Sequence, residues 1–111
     1  MPSNPAGKVV KVRVSHYNPA LGGVNCAYFA GGECLSHMAS GLPWQSHLDK
    51  AAACVPEWPF HTRFTLDGHT WECLDRGSAI VTVDGIPWVD LLEEHASYPF
   101  GSIHEVILEE K

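Results

Sequence analysis

A chain of 111 residues has room for one hydrophobic core, so we treat residues 1–111 as a single domain with tails at 1–7 and 109–111. Ten glycines and eight prolines, spread among short apolar runs, argue against long helices and favour a mainly β fold. Thirteen acidic residues against seven basic ones give a formal charge of −6, and the basic residues form no run, which excludes nucleic acid as an expected partner.

No segment predicts a membrane span or a secretion signal. The longest apolar stretches, such as residues 51–55, are far shorter than the roughly 20 residues that a membrane-spanning helix needs. Residues 1–8 contain no apolar signal core. We therefore expect a soluble protein of the cell exterior or envelope whose signal has been trimmed, or a phage-encoded protein released by lysis.

The four cysteines lack the paired CxxC spacing of zinc knuckles. Three pairings are possible, and we favour Cys26–Cys34 with Cys54–Cys73 because each closes a short segment that contains turns. The alternative is four free, buried thiols, which suits a reducing compartment.

The first half of the chain predicts one strand, one long loop and one helix. Residues 9–15 alternate apolar with polar or charged side chains at period two, the pattern of a half-buried strand. Residues 16–41 read as a long, irregular excursion of the kind that often carries binding residues. Residues 44–53 are the best helix candidate, with Ser46 as N-cap and Asp49 three residues later.

The clearest turn is Asp67-Gly68, between the apolar-rich segments 63–66 and 69–73. An Asp-Gly pair supplies the two positive-φ positions of a type I′ hairpin turn. The turn explains Asp67 fully, so we assign it no catalytic role.

The last third of the chain repeats that layout. Segments 79–83 and 86–90 flank Asp84-Gly85, and the turn likewise explains Asp84. Residues 91–95 could form one helical turn, and residues 102–108 are predicted to be the closing strand.

Asp75 is the first candidate for chemistry. Strand alternation would put Trp71, Cys73 and Asp75 on one face, and Gly77 lets the backbone turn beside the carboxylate. The alternative is a turn aspartate paired with Arg76.

Asp90 is the second candidate, because it has apolar neighbours on both sides. Burial there would raise its pKa and keep it protonated, as a general acid must be. The alternative is a helix N-cap for residues 91–95. Asp75 and Asp90 on neighbouring strands, in unlike settings, would have their pKa values pushed apart, which is how acid and base roles divide in glycosidic-bond cleavage.

The histidines and the large aromatic residues give weaker indications of function. The seven histidines form no HxH or HExxH pattern, so neither a metal nor a cofactor is expected. Most of the large aromatic residues are expected in the core, with Tyr17 or Trp88 able to stack on a sugar ring.

Six segments occur in the order of a known family, namely 38–41, 52–54, 58–64, 75–80, 88–92 and 99–101. On these segments the chain resembles the 3D domain, named for three aspartates, over about residues 12–108. That domain is similar to the barrel of membrane-bound lytic transglycosylase A and, more distantly, to rare lipoprotein A and the expansins. The resemblance implies a six-stranded double-psi β-barrel with one or two short helices and a long N-terminal loop.

The resemblance also assigns residues. Two family aspartates fall on Asp75 and Asp90, and the equivalent of Asp90 is the catalytic acid in the lytic transglycosylases. The third falls near Ala53 and Cys54, which carry no carboxylate. A family glycine is replaced by His61, a candidate for a substitute polar group.

The function implied is cleavage of the β-1,4 bond between N-acetylmuramic acid and N-acetylglucosamine. Asp90 would act as acid and then base, and Asp75 would stabilise the positive charge that develops on the sugar. The expected partner is therefore a polysaccharide, with these substrate-binding candidates: Tyr17, His61, Arg76 and Trp88. The alternatives are a carbohydrate-binding or phage structural barrel that cuts nothing, and an inverting endoglucanase of the family 45 type.

Overall fold

The computed structural model describes residues 7–21, 26 and 28–109, which are mainly β with three-residue 3-10 turns in place of longer helices. The strands are β1 (Gly7–Tyr17), β2 (Phe29–Ala30), β3 (Glu33–Cys34), β4 (Ala51–Ala53), β5 (Arg63–Leu66), β6 (His69–Asp75), β7 (Trp88–Leu92) and β8 (Ser102–Glu109). Six of these described strands close a barrel in the order β1-β7-β4-β6-β5-β8, and β2 and β3 form a separate two-stranded sheet. The prediction of a six-stranded, mainly β barrel is confirmed.

The barrel mixes parallel and antiparallel pairs. β1 runs parallel to β7, and β4 runs parallel to β6. The other neighbours around the barrel are antiparallel. Parallel pairing brings together segments that lie far apart along the chain, which is how the barrel assembles a site from distant residues.

The first Asp-Gly turn is confirmed. Leu66 and His69 are cross-strand partners in the β5–β6 hairpin. Asp67 and Gly68 between them have φ values of 50° and 83°, as a type I′ turn requires.

Period-two alternation explains how β1 enters the barrel. Val12 and Val14 are fully buried in the main core, and Arg13 between them points to the opposite face. Trp71 and Cys73 of β6 and Val89 and Leu91 of β7 reach the same core. The barrel interior is therefore filled by apolar side chains, and polar chemistry is confined to the other face and the rims.

The long excursion after β1 covers a second apolar cluster on the barrel. Cys34 and Met38 from the excursion, and Trp44 just after it, pack there against Leu74 and Leu92 from the barrel strands. Residues 22–25 and 27 of the excursion lie outside the described residues.

Disulfides join Cys26 to Cys34 and Cys54 to Cys73, so the predicted pairing is confirmed. These bonds are compatible with an extracellular location. Over residues 7–21, 26 and 28–109 the structure contains no helix long and apolar enough to cross a membrane.

The helix predicted over residues 44–53 is wrong. Residues 45–47 form a single 3-10 turn, whose N-cap is Trp44 rather than Ser46, and Asp49 has a φ of 64° that ends any helical path. Ala51–Ala53 is strand β4, which lies between β6 and β7 with each residue at most 3% exposed. Pairing with two neighbours overrides the helix preference of three alanines.

Two further predictions around β7 are also wrong. Residues 79–83 form no strand in the part of the chain that the structure describes, although Val83 and Ile86 bridge across the Asp84-Gly85 turn. Residues 91–95 are not helical, because Leu91 and Leu92 continue β7 between β1 and β4. Asp90 is thus a mid-strand residue and not a helix N-cap.

Two residues that were predicted as tail residues belong to strands. Gly7 and Glu109 are register partners at the ends of β1 and β8. The other residues predicted as tails, 1–6 and 110–111, lie outside the described residues.

His61 adopts a backbone conformation that favours glycine. Its φ is 75°, in the left-handed region that a Cβ atom disfavours by about 1–2 kcal/mol. We expect His61→Gly to be about 1 kcal/mol more stable to urea unfolding than His61→Ala. At Glu105, an exposed residue of β8, the order should reverse, with alanine more stable than glycine. The same order at both positions would contradict the backbone explanation.

Candidate functional site

A groove of about 430 Å³ opens where β1 and β7 lie side by side. This volume lies in the range of small-ligand pockets, about 300–1,000 Å³. Its lining combines polar or ionisable side chains with an apolar wall, and the residues are Ser15, His16, Tyr17, Ala79, Ile80, Trp88, Asp90 and Phe100. Two of the predicted substrate-binding residues, Tyr17 and Trp88, are among them.

The parallel register of β1 and β7 positions the central polar group of the groove. Ser15 is the direct partner of Asp90, and Trp88 precedes Asp90 by two residues and so shares its face. The Ser15 hydroxyl donates to Asp90 Oδ1 at 2.7 Å, and the Trp88 indole Nε1–H donates to Ser15 Oγ at 2.8 Å. Three side chains thus form one hydrogen-bonded chain that ends on the Asp90 carboxyl.

Burial raises the pKa of Asp90 above its usual value. The hydrogen bond from Ser15 and the charge of His16 act in the opposite direction, and the negative charges of Asp75 and Glu93 add to the rise. A carboxyl that holds its proton in a groove has the property that a general acid needs.

Asp75 is held in a different way. Its Oδ1 accepts from the backbone N–H groups of Ala39 and Arg76, each at 2.8 Å, and its Oδ2 accepts from the Tyr17 hydroxyl at 2.7 Å. Three donors therefore fix the orientation of the Asp75 carboxyl group. Asp90, by contrast, accepts one hydrogen bond from the described residues, and the predicted division into one protonated and one charged carboxyl stays a prediction.

The two aspartates are not on neighbouring strands as predicted. Asp75 ends β6 and Asp90 lies in β7, and both are register partners of Ala53 on the intervening strand β4. Two strand spacings put their backbones roughly 10 Å apart. Ala53, where the resemblance expects a third aspartate, therefore lies between them with only a methyl group.

The alternation of side chains predicted along β6 is also wrong at its last residue, Asp75. The register of β4 against β6 shifts between Ala52 and Ala53, so that Cys73 pairs with Ala52 but Asp75 pairs with Ala53. The extra residue, Leu74, is buried in the second apolar cluster. The irregularity removes Asp75 from the core-facing row and lets its carboxyl meet Tyr17.

Tyr17 connects the two carboxyl groups. It lines the groove beside Asp90 while its hydroxyl donates to Asp75. Burial, together with the negative charge of Asp75, raises the pKa of Tyr17 well above its usual value. The phenol is therefore a fixed donor that holds Asp75 toward the groove.

The structure does not bring Arg76 and His61 into the groove lining. The Arg76 guanidinium donates to the carbonyls of Asp75 and Trp58 and lies over the Phe60 ring at 4.3 Å, instead of pairing with the Asp75 carboxylate. His61 places its Nδ1 2.6 Å from the carboxylate of Glu72. Their predicted contacts with substrate stay predictions.

The apolar wall of the groove includes an aromatic pair, the exposed Phe100 and the half-buried Trp88. The Phe100 ring is 82% exposed, and its centroid lies 5.7 Å from that of Trp88. Gly101, at a φ of 75°, lets the chain turn directly over the Trp88 ring. An exposed ring at the rim of a groove is suited to stack on an apolar ligand face.

Sequence reasoning missed three residues near Asp90. Ser15 ends the strand predicted over residues 9–15, and its role depends on a register with a segment 75 residues away. Phe100 lies in the 99–101 segment of the family resemblance, which assigns it no role. Glu93 is a buried carboxylate that accepts from the Ser97 N–H at 3.0 Å and from the Ser97 hydroxyl at 2.5 Å, and no local pattern distinguishes it from an exposed acid.

Within residues 7–21, 26 and 28–109, no group of three or more histidine, cysteine, aspartate or glutamate side chains is arranged to hold a metal ion. No protein family, curated protein or solved structure matches the chain. The resemblance to the 3D domain therefore stays a prediction, and only the groove indicates a function.

The raised pKa of Asp90 predicts a pH-dependent stability difference. Because the folded state holds this proton to a higher pH than the unfolded chain does, ionisation costs stability as pH rises from about 4 through the folded pKa. Asp90→Asn does not ionise there, so its stability relative to the wild type should be greater at pH 7 than at pH 3. Urea unfolding across this pH range measures the difference, and parallel curves for the two proteins would contradict the prediction.

Proposed function

We propose that this protein cleaves glycan strands, with peptidoglycan as its substrate and Asp90 as the acid. The observation that carries the proposal is the setting of Asp90, a half-buried carboxyl with a raised pKa that lines an open groove. A second carboxyl, Asp75, approaches the same groove through Tyr17, and the Trp88–Phe100 pair provides a surface for a sugar ring. These are the parts that acid-catalysed glycosidic cleavage requires.

In the proposed reaction, Asp90 donates its proton to the glycosidic oxygen between N-acetylmuramic acid and N-acetylglucosamine as the bond from that oxygen to the muramoyl anomeric carbon breaks. Asp75 stabilises the positive charge that develops on the muramoyl ring. The ionised Asp90 then takes the proton of the muramoyl 6-hydroxyl, whose oxygen bonds to the anomeric carbon. The products are a 1,6-anhydro sugar and a free 4-hydroxyl, and Asp90 regains its proton.

We also propose a double-psi topology for the barrel. The strand order is symmetric about the junction of β7 with β4: on each side a parallel pair comes first, followed by an antiparallel partner. β1 and β8 on one side thus correspond to β6 and β5 on the other. Such a repeated, interlocked pair of halves is what the resemblance to the 3D domain implies.

A peptidoglycan substrate also implies where the protein acts. The substrate lies outside the cytosol, where disulfides persist, so we propose action at the cell envelope after export or after release by phage lysis.

The test is digestion of purified peptidoglycan followed by mass spectrometry of the soluble products. Anhydromuropeptides are the expected result. Reducing ends released from cellulose, without anhydro products from peptidoglycan, would instead indicate an inverting endoglucanase. Release of no product from either polymer would contradict cleavage.

A non-catalytic glycan-binding barrel is the second candidate, and one observation favours it. Ala53, between Asp75 and Asp90, supplies a methyl group where the resemblance expects a carboxylate. Glycan binding without turnover, with equal affinity in wild type and Asp90→Asn, would support this function over cleavage.

A further inference from the structure

We propose that Ser15 and Trp88 are positioning residues that determine which oxygen of Asp90 carries the catalytic proton. The inference rests on the proposed function of Asp90 as the acid. It gives Trp88 a role beyond the stacking that the sequence predicted, because its indole N–H acts on Asp90 through Ser15.

The donors and acceptors in the chain from Trp88 through Ser15 to Asp90 follow from the hydrogen-bonding capacity of each group. An indole N–H can only donate, so Ser15 Oγ is the acceptor in its 2.8 Å contact with Trp88 Nε1. A hydroxyl has a single hydrogen, and with the indole as donor on one side that hydrogen is free to point at Asp90 Oδ1, 2.7 Å away. Trp88 therefore orients the Ser15 hydroxyl as a donor to Asp90.

This orientation has a consequence for the acid. Oδ1 of Asp90 accepts from Ser15, so a proton on Oδ1 would compete with the hydrogen of the hydroxyl. The proton of the neutral acid consequently belongs on Oδ2, the oxygen that receives no hydrogen bond from the described residues. Asp90 is thereby prepared to donate from one defined oxygen, which is the benefit of orienting a catalytic group in advance.

Ser15 also opposes the effect of burial. Its hydrogen bond to the carboxylate lowers the pKa of Asp90, whereas desolvation raises it. The β4 partner, Ala53, has no ionisable side chain. The ionisable groups that act on Asp90 from the surrounding elements are His16 and Tyr17 of β1, Asp75 of β6 and Glu93 after β7.

The test compares Ser15→Ala with Ser15→Thr and Trp88→Phe. Activity of a general acid falls as pH rises through its pKa. Ser15→Ala is expected to raise the pKa of Asp90, so its activity should persist to higher pH while its maximum rate falls about 10-fold, the loss of one charge-assisted hydrogen bond. Ser15→Thr keeps the hydroxyl and should restore the wild-type profile.

Trp88→Phe separates the indole N–H from the aromatic surface. Because phenylalanine keeps a ring beside Phe100, sugar stacking should survive, and the pH profile should shift in the same direction as in Ser15→Ala but by less. A ring used for stacking alone would change the Michaelis constant and leave the pH profile unmoved, which would overturn the role proposed for Trp88.

A titration of the Asp90 carboxyl carbon by ¹³C NMR distinguishes this inference from the proposed function, since it needs no turnover. A higher pKa in Ser15→Ala than in the wild type and in Ser15→Thr supports the inference. Identical titration in wild type and Ser15→Ala overturns it, even if peptidoglycan is cleaved. A raised pKa in a protein whose wild type cleaves no glycan would overturn the proposed function and leave the proton placement supported.

Discussion

Asp90→Asn is expected to reduce the release of anhydromuropeptides by about 10²–10⁴-fold, the usual contribution of a general acid. Asparagine keeps an oxygen that can accept the Ser15 hydrogen bond, so the groove should keep its shape. What it lacks is a transferable proton, and both proposed steps pass through that proton. The measurement is the initial rate of product formation from purified peptidoglycan, by mass spectrometry.

Asp84→Asn is the matched control. Asp84 lies in an exposed turn with a φ of 53°, which asparagine tolerates, so this variant should retain wild-type activity. Equal product from Asp90→Asn and the wild type would remove Asp90 as the acid. Loss of activity in both variants would point to a general effect of removing a negative charge and would equally count against the assignment.

Removing the Cys54–Cys73 disulfide, as a Cys54→Ala/Cys73→Ala double variant, is expected to lower the free energy of unfolding by about 3 kcal/mol. Both cysteines are completely buried in the main core, and their bond closes a segment of 19 residues. For a domain of this size the melting temperature should fall by more than about 10 °C.

The matched control is Cys26→Ala/Cys34→Ala. That disulfide closes only 8 residues and lies in the excursion outside the barrel, so its removal should cost less. Thermal unfolding followed by circular dichroism measures both variants. Equal melting temperatures for the wild type and the Cys54/Cys73 variant would mean that this bond does not constrain the chain.

The Cys54–Cys73 bond adjoins Asp75, so its loss should also affect activity. Cys54 follows Ala53 and donates its backbone N–H to the Asp75 carbonyl at 3.2 Å. Cys73 precedes Asp75 by two residues. A variant that stays folded at 20 °C but cleaves more slowly would be explained by displacement of Asp75.

Local chemistry was enough to predict several elements of this fold. The alternation in β1 follows from the barrel having an apolar inside and a polar outside, and the hairpin of β5 and β6 follows from the positive φ that Asp67-Gly68 allows. The apolar neighbours of Asp90 also indicated its burial correctly. These features depend on residues within a few positions of each other, which a single sequence displays.

Where the prediction failed, long-range pairing had overridden a local preference. Ala51–Ala53 favours a helix by composition, yet it pairs with β6 on one side and β7 on the other and is buried there. The shifted register opposite Ala53 likewise moved Asp75 out of the row that simple alternation assigns.

The sequence by itself thus determined a mainly β chain and its first Asp-Gly hairpin, favoured one pairing of the cysteines, and indicated two candidate carboxyl groups. Only the tertiary structure decided that Ser15 faces Asp90, that Tyr17 holds Asp75, and that Ala53 separates the two acids. The physical reason is that a parallel strand pair has no local turn to mark it. Its register is fixed only when the whole barrel closes around the core.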